Sequence, residues 1–167
     1  MKMIDALLAE LEQEAVATRR VLERIPQAHL SWRPHPKSMS LGQLALHVAT
    51  VPGNVAELAA VDITPEPPSF VQTEAATTAE LLPCLADSLA RARRALGGFD
   101  DAKMGAMWRL QSGGKDIMAM PRIAFVRAIM LNHWYHHRGQ LLVYLRLLGQ
   151  SVPSVYGPTA DENPFAA

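Results

Sequence analysis

The sequence is short of several things, and each shortage closes off a class of protein. It has a single cysteine, Cys84, in 167 residues, so an internal disulfide framework is excluded and a reducing, cytoplasmic setting is expected. Formal charge is zero, from 16 basic and 16 acidic residues. No basic stripe runs along the chain, so no nucleic-acid partner is expected. Nor is there an apolar run of the roughly 20 residues that crosses a bilayer, or a charged-then-apolar leader; no membrane partner is expected. P-loop and Gly-x-Ser-x-Gly motifs are missing. No glutamate stands three residues before a histidine, which removes the di-iron carboxylate bundle. Trp134 follows His133, so the HExxH motif with its glutamate base is absent too.

What is there describes an ordinary globular chain, 49% hydrophobic and 19% charged, of a size that makes one domain. Ile4, Leu7, Leu8, Leu11, Ala15, Thr18, Leu22 and Ile25 recur at helical steps, which predicts a first helix closed by Pro26. The polar connection "HLSWRPHPKSMS" follows. Ser40 and Gln43 then have capping-box spacing, and Met39 and Leu44 stand where a hydrophobic staple would close. A second helix should begin near Leu41 and carry His47, with Pro52-Gly53 kinking or interrupting it. Residues 61–77 are rich in proline and lack periodicity, as a long loop would be.

Thr77 and Glu80 suit the start of a third helix running to about Leu96, where Gly97-Gly98 stops it, although Pro83 falls in its first turn. "MWRLQSGGKDIMAM" alternates weakly about Ser112-Gly113-Gly114 and suggests a short hairpin. Pro121 can open a last helix that ends at Gly149. The expected fold is all-α: a four-helix bundle with a long crossover loop between helices 2 and 3, which permits a non-sequential arrangement.

Three of the six histidines fall in "LNHWYHHRGQLLVYLRLLG", residues 131–149. At about 100° per residue, His137 lies about 40° from His133, Gln140 about 20° to the other side, and Tyr144 about 20° away. These four form one stripe; His136 sits about 60° off it and Arg138 roughly opposite. His133 and His137 can aim two imidazoles at one metal ion. His47, on the other well-capped helix, is the natural third. Three imidazoles and a water form the open catalytic arrangement of zinc, and nickel, iron or copper would accept the same donors. Spacing alone leaves this open against a chance pair of ordinary helix histidines.

"SWRPHPKSMSLGQLALHV", "NHWYHHRGQLLVYLRLLG" and "VPSVYGPTADE", in that order, resemble the DinB/YfiT-like family of bacterial proteins. The resemblance covers nearly the whole chain. It implies a four-helix bundle that commonly forms homodimers, and a divalent metal, zinc or nickel first, held by His47, His133 and His137. Trp134 is a departure, standing where many relatives carry an acidic residue. Relatives include transferases that use the low-molecular-weight thiols mycothiol or bacillithiol and a mycothiol-dependent isomerase, so the resemblance implies a small-molecule substrate without naming it.

Two functions follow as expectations. One is a metal-dependent enzyme, a thiol transferase or hydrolase, in which the ion favours a substrate thiolate or activates a water. The other is a non-catalytic metal-binding dimer in stress response or sensing. A fourth protein ligand would distinguish them, and the sequence offers no clear one. Gln140 and Tyr144 are the candidate catalytic or substrate-contacting residues, each with bundle packing as its alternative. Asn54 shares the His47 face only if Pro52 does not rotate the helix. His136 reads as a structural hydrogen-bonding residue, with a nearby base as the alternative. Cys84, Met118, Met120 and Met130 read as packing, with Met130 flanking the stripe, and His29 and His35 as solvent-facing. Pro153 and Pro158 end helical structure in the tail, Tyr156 should pack back on the body, and Asp161 and Glu162 should be solvated.

Overall fold

A computed structural model describes residues 1–66 and 72–166. Helix α1 spans Met3–Leu22 and buries Ile4, Leu7, Leu11, Ala15, Thr18 and Leu22, the stripe that its period predicts. It stops before Pro26, yet Ile25 stays in the core.

Helix α2 spans Leu41–Ala60, and its start is the expected capping box. The Gln43 N–H donates to Ser40 Oγ at 3.1 Å, and the Ser40 N–H donates to Gln43 Oε1 at 2.9 Å. The next two orphan donors are met by the preceding connection: the Leu41 N–H reaches the Trp32 carbonyl (2.8 Å) and the Gly42 N–H the Leu30 carbonyl (2.7 Å). Every early N–H of the helix thus has an acceptor.

Of the two outcomes expected at Pro52, an interruption does not occur: α2 runs through it unbroken. Proline lacks the N–H that would bond to the Val48 carbonyl one turn earlier. The Trp134 indole N–H donates to that carbonyl instead, at 2.7 Å. One residue further, the Gly53 N–H donates to Ser88 Oγ (2.8 Å), whose hydroxyl donates to the Thr50 carbonyl (3.1 Å). Gly53 is what lets the neighbouring helix come so near: a Cβ there would stand 2.8 Å from the Ser88 carbonyl oxygen.

The expected all-α architecture needs correction. Strand β1, Ile63–Pro65, lies in the segment read as loop, and pairs in parallel with β2, Met107–Ser112, with Ile63 opposite Arg109. Three residues are too few to show a period, so nothing local announces this strand. Residues 67–71 of that expected loop lie outside the described residues. The hairpin expectation holds: β2 pairs antiparallel with β3, Lys115–Pro121, through Gly113 and Gly114, whose φ values of 54° and 77° suit a tight two-residue turn.

Helix α3, Leu81–Leu96, follows a 3-10 turn at Thr78–Glu80, and the Thr77 N–H donates to Glu80 Oε1 at 2.9 Å. A short helix α4, Asp101–Gly105, precedes the hairpin. The last helical stretch does not begin at Pro121, which ends β3; it runs as α5, Arg122–Phe125, a π-helical segment Val126–Asn132, and α6, His133–Leu147. Both α1 and α2 pack against α3 and α6, while α1 and α2 touch each other only slightly and α3 and α6 less still. The four long helices therefore surround the core in non-sequential order.

Two buried arginines hold this frame. Arg122, wholly buried, donates to the carbonyls of Ala59 (2.6 Å), Val61 (3.1 Å) and Lys103 (2.9 Å) and to Asp62 Oδ1 (2.6 Å), so it finishes the carbonyl end of α2. Arg138 leaves the histidine stripe on the opposite side, as its angle predicts. It donates to Glu14 Oε2 (2.6 Å), Thr18 Oγ1 (3.1 Å) and the Tyr156 hydroxyl (2.5 Å). Tyr156 packs back through that hydroxyl, while the residue stays 71% exposed. Asp161 and Glu162 are not simply solvated: Asp161 takes Arg146 and the Val152 N–H, and Glu162 takes Arg20, Arg24 and the Ser154 N–H. The tail is clipped to the bundle by these carboxylates.

Candidate metal centre

The three histidines reach one point from two helices. His47 stands in the second turn of α2, whose phase the capping box fixes. His133 is the first residue of α6, immediately after the π segment, and His137 is one turn on. Both fall in regular α-helix, so the turn of the π segment does not disturb their mutual angle. Trp134, beside His133, bonds the carbonyl of Val48, beside His47. The residue that departs from the expected family pattern thus ties the two histidine-bearing helices together one position from each histidine.

The ring nitrogens converge. His133 Nε2 lies 2.7 Å from His137 Nε2 and 3.5 Å from His47 Nε2, and one nitrogen from each ring fits within a 4.8 Å group. Tetrahedral zinc with bonds of about 2.05 Å places its ligand nitrogens about 3.3 Å apart. The two separations bracket that value, so the donor set fits a single ion. No other group of this kind occurs among the described residues.

Electrostatics favour the metal-ready form. Burial, joined by repulsion from the neighbouring His137 and His133, pushes the His47 pKa down to about 4. Burial also lowers His133 and His137. All three are therefore neutral near pH 7, each with a lone pair to offer. His137 Nδ1 meets Gln140 Oε1 at 2.7 Å; a proton held on Nδ1 leaves Nε2 facing the cluster. The Ile129 carbonyl pulls the His133 pKa upward without reaching hydrogen-bond geometry, so His133 Nδ1 is buried without a partner.

A cavity of about 730 Å³ opens beside the cluster, and His47 and His133 form part of its wall. Val51, Val55, Trp108, Leu110, Phe125 and Ile129 supply apolar surface. Asn54 lines it as well, since an uninterrupted α2 keeps it on the His47 face, and its Oδ1 accepts from Arg91 at 2.9 Å.

The other candidates divide. Gln140 joins the cluster through His137, whereas Tyr144 stacks edge-on against Trp32 at 5.5 Å and donates to the Met39 carbonyl at 3.3 Å. His136 is exposed, 5.0 Å between ring centroids from His137. His29 and His35 are exposed, as expected. Cys84 packs against the core, and burial raises its thiol pKa, away from reactivity. Met130 is core and Met120 packs on it, but Met118 lines the cavity. Sequence reasoning missed Trp108, Thr64 and the buried Arg122. It also passed over Glu14, although a carboxylate on the Leu7–Leu11–Thr18 stripe is a visible signal.

Against known proteins, the DinB family model matches residues 1–164. The chain belongs to the DinB family. It is 27% identical over 168 residues to YrdA of Bacillus subtilis (strain 168), an uncharacterized protein, covering 95% of this chain and 91% of YrdA. The DinB-like fold is shared with solved structures. A DinB-like protein from Bacillus cereus ATCC 10987 superposes with TM-score 0.70 at 22% identity, covering 92% of this chain and 97% of that one. YjoA, a DinB-like protein of Bacillus subtilis, gives 0.68 at 20% identity, covering 90% and 96%. No described helix of this DinB-family chain is long and apolar enough to cross a membrane.

Proposed function

We propose that this DinB-family chain is a divalent-metal-dependent enzyme acting on a small molecule, with zinc or nickel held by His47, His133 and His137. The observation that carries the reading is the cavity: two of the three histidines lie in its wall, and the described residues offer no fourth ligand in the group. When bound, the ion would activate a thiol or a water for nucleophilic attack, which covers thiol transfer and hydrolysis. The chain's own part is to keep three imidazoles neutral, to set the His137 tautomer through Gln140, and to keep water out of an apolar approach. Tyr144 is assigned to shaping the connection at Trp32 rather than to the reacting atoms. A non-catalytic metal-binding dimer remains the competing reading, and it requires a closed fourth position.

Cobalt-loaded protein tests the choice. The visible absorption of the cobalt form should change when 2-mercaptoethanol is added, because an open position accepts the thiol. A spectrum indifferent to added thiol and to azide would contradict the enzyme reading.

A further inference from the structure

We propose that the cavity beside the histidines binds a neutral, largely apolar organic molecule, with its one reacting polar group at the His47–His133 end. Only the placing of that end rests on the metal reading above.

The volume, about 730 Å³, is that of a small-molecule site. The decisive feature is charge. Among the described lining residues there is no lysine, arginine, aspartate or glutamate. A phosphate, carboxylate or ammonium group drawn inside would lose its hydration and meet no counter-charge. A charged thiol or a phosphorylated metabolite is therefore the wrong occupant for the body of this cavity; in a two-substrate transfer, the apolar partner belongs there.

The aromatic floor points the same way. Trp108 and Phe125 stack at 3.8 Å between centroids and 27° between planes, each 2% exposed. The Trp108 indole N–H is already satisfied by the Leu58 carbonyl at 3.0 Å, so that ring presents no donor to a ligand. Two polar atoms of lining residues lack a partner among the described residues, Thr64 Oγ1 and His133 Nδ1, but both are closed off from the cavity by the protein itself. The occupant is thus a molecule with an aliphatic or aromatic body and a donor atom at the histidine end.

The test uses the full chain and two kinds of probe. Prodan, a neutral naphthalene fluorophore, is titrated into the metal-free protein, into Met118→Glu and into Leu110→Asp. Saturable one-to-one uptake is expected, weakened several-fold in the variants while their helical circular dichroism is unchanged. Met118 is 38% exposed, so that variant remains informative if Leu110→Asp fails to fold. Alkyl hydroxamates from acetohydroxamate to octanohydroxamate are then titrated into the zinc-loaded chain, where affinity should rise about threefold to fourfold per methylene. No saturable prodan uptake by the folded wild type, or equal uptake by folded variants, overturns the proposal; so does hydroxamate affinity that ignores chain length. If prodan binds as expected but no hydroxamate of any length does, the cavity proposal stands and the metal reading fails.

Discussion

Replacing Trp134 by phenylalanine removes the donor that covers for Pro52. The Val48 carbonyl is then buried, with no backbone N–H available from residue 52 and no indole to replace it. An unpaired buried carbonyl costs about 1–3 kcal/mol. The smaller ring also leaves unfilled volume at a fully buried position, adding ~1 kcal/mol. The single variant should therefore lose about 2–4 kcal/mol of stability. Pro52→Ala gives the same carbonyl an ordinary helical donor. In that background the Trp134→Phe change should lose only its packing part, so the two costs should differ by about 1–3 kcal/mol. Urea unfolding of the four metal-free proteins, followed by circular dichroism, measures the difference. Equal costs in the two backgrounds would refute the claim that the indole substitutes for the missing proline N–H.

Arg138→Met should destabilise the chain by about 3–5 kcal/mol, because it strands the Glu14 carboxylate in the interior; chemical denaturation checks this, and a neutral outcome would deny the clamp. Gln140→Leu should leave the helical content intact yet weaken zinc binding by about 10-fold to 100-fold, read by competition with a chromogenic chelator. The metal-free chain should lose stability as pH falls from 6.5 toward 4. His47 titrates near 4 when folded against an ordinary 6.5, so in that window the unfolded state binds the extra proton and is favoured; thermal melts should show a shallower fall in His47→Ala. The exposed Val143 and Leu147 of the last helix would suit self-association, for which the expected outcome is a dimer in sedimentation; a monomer at working concentration would contradict it.

What the sequence announces here is local. Ser40 and Gln43 fix the start of α2, and with it the phase of His47, through contacts three residues apart. His133 and His137 share a face because both lie in regular helix, so an ideal angle applies to them. What stays hidden depends on partners far along the chain. Pro52 looks like a break until an indole 86 residues from the Val48 carbonyl comes to bond it. The three residues of β1 become a strand only beside β2, and Arg122 looks like a surface arginine until it gathers carbonyls at the end of α2. The cavity is likewise a tertiary product, since α2, the π segment and the sheet each supply part of its wall. Glu14 differs: its place on an apolar stripe was readable, and marks a buried pair.

The central claim is that His47, His133 and His137 hold one metal ion. Elemental analysis of the purified, untagged chain beside His47→Ala, His133→Ala and His137→Ala tests it most directly. The account predicts one divalent ion per chain, lost in each variant while circular dichroism stays helical. Metal content unchanged by these substitutions, or none after zinc and nickel supplementation, would contradict it.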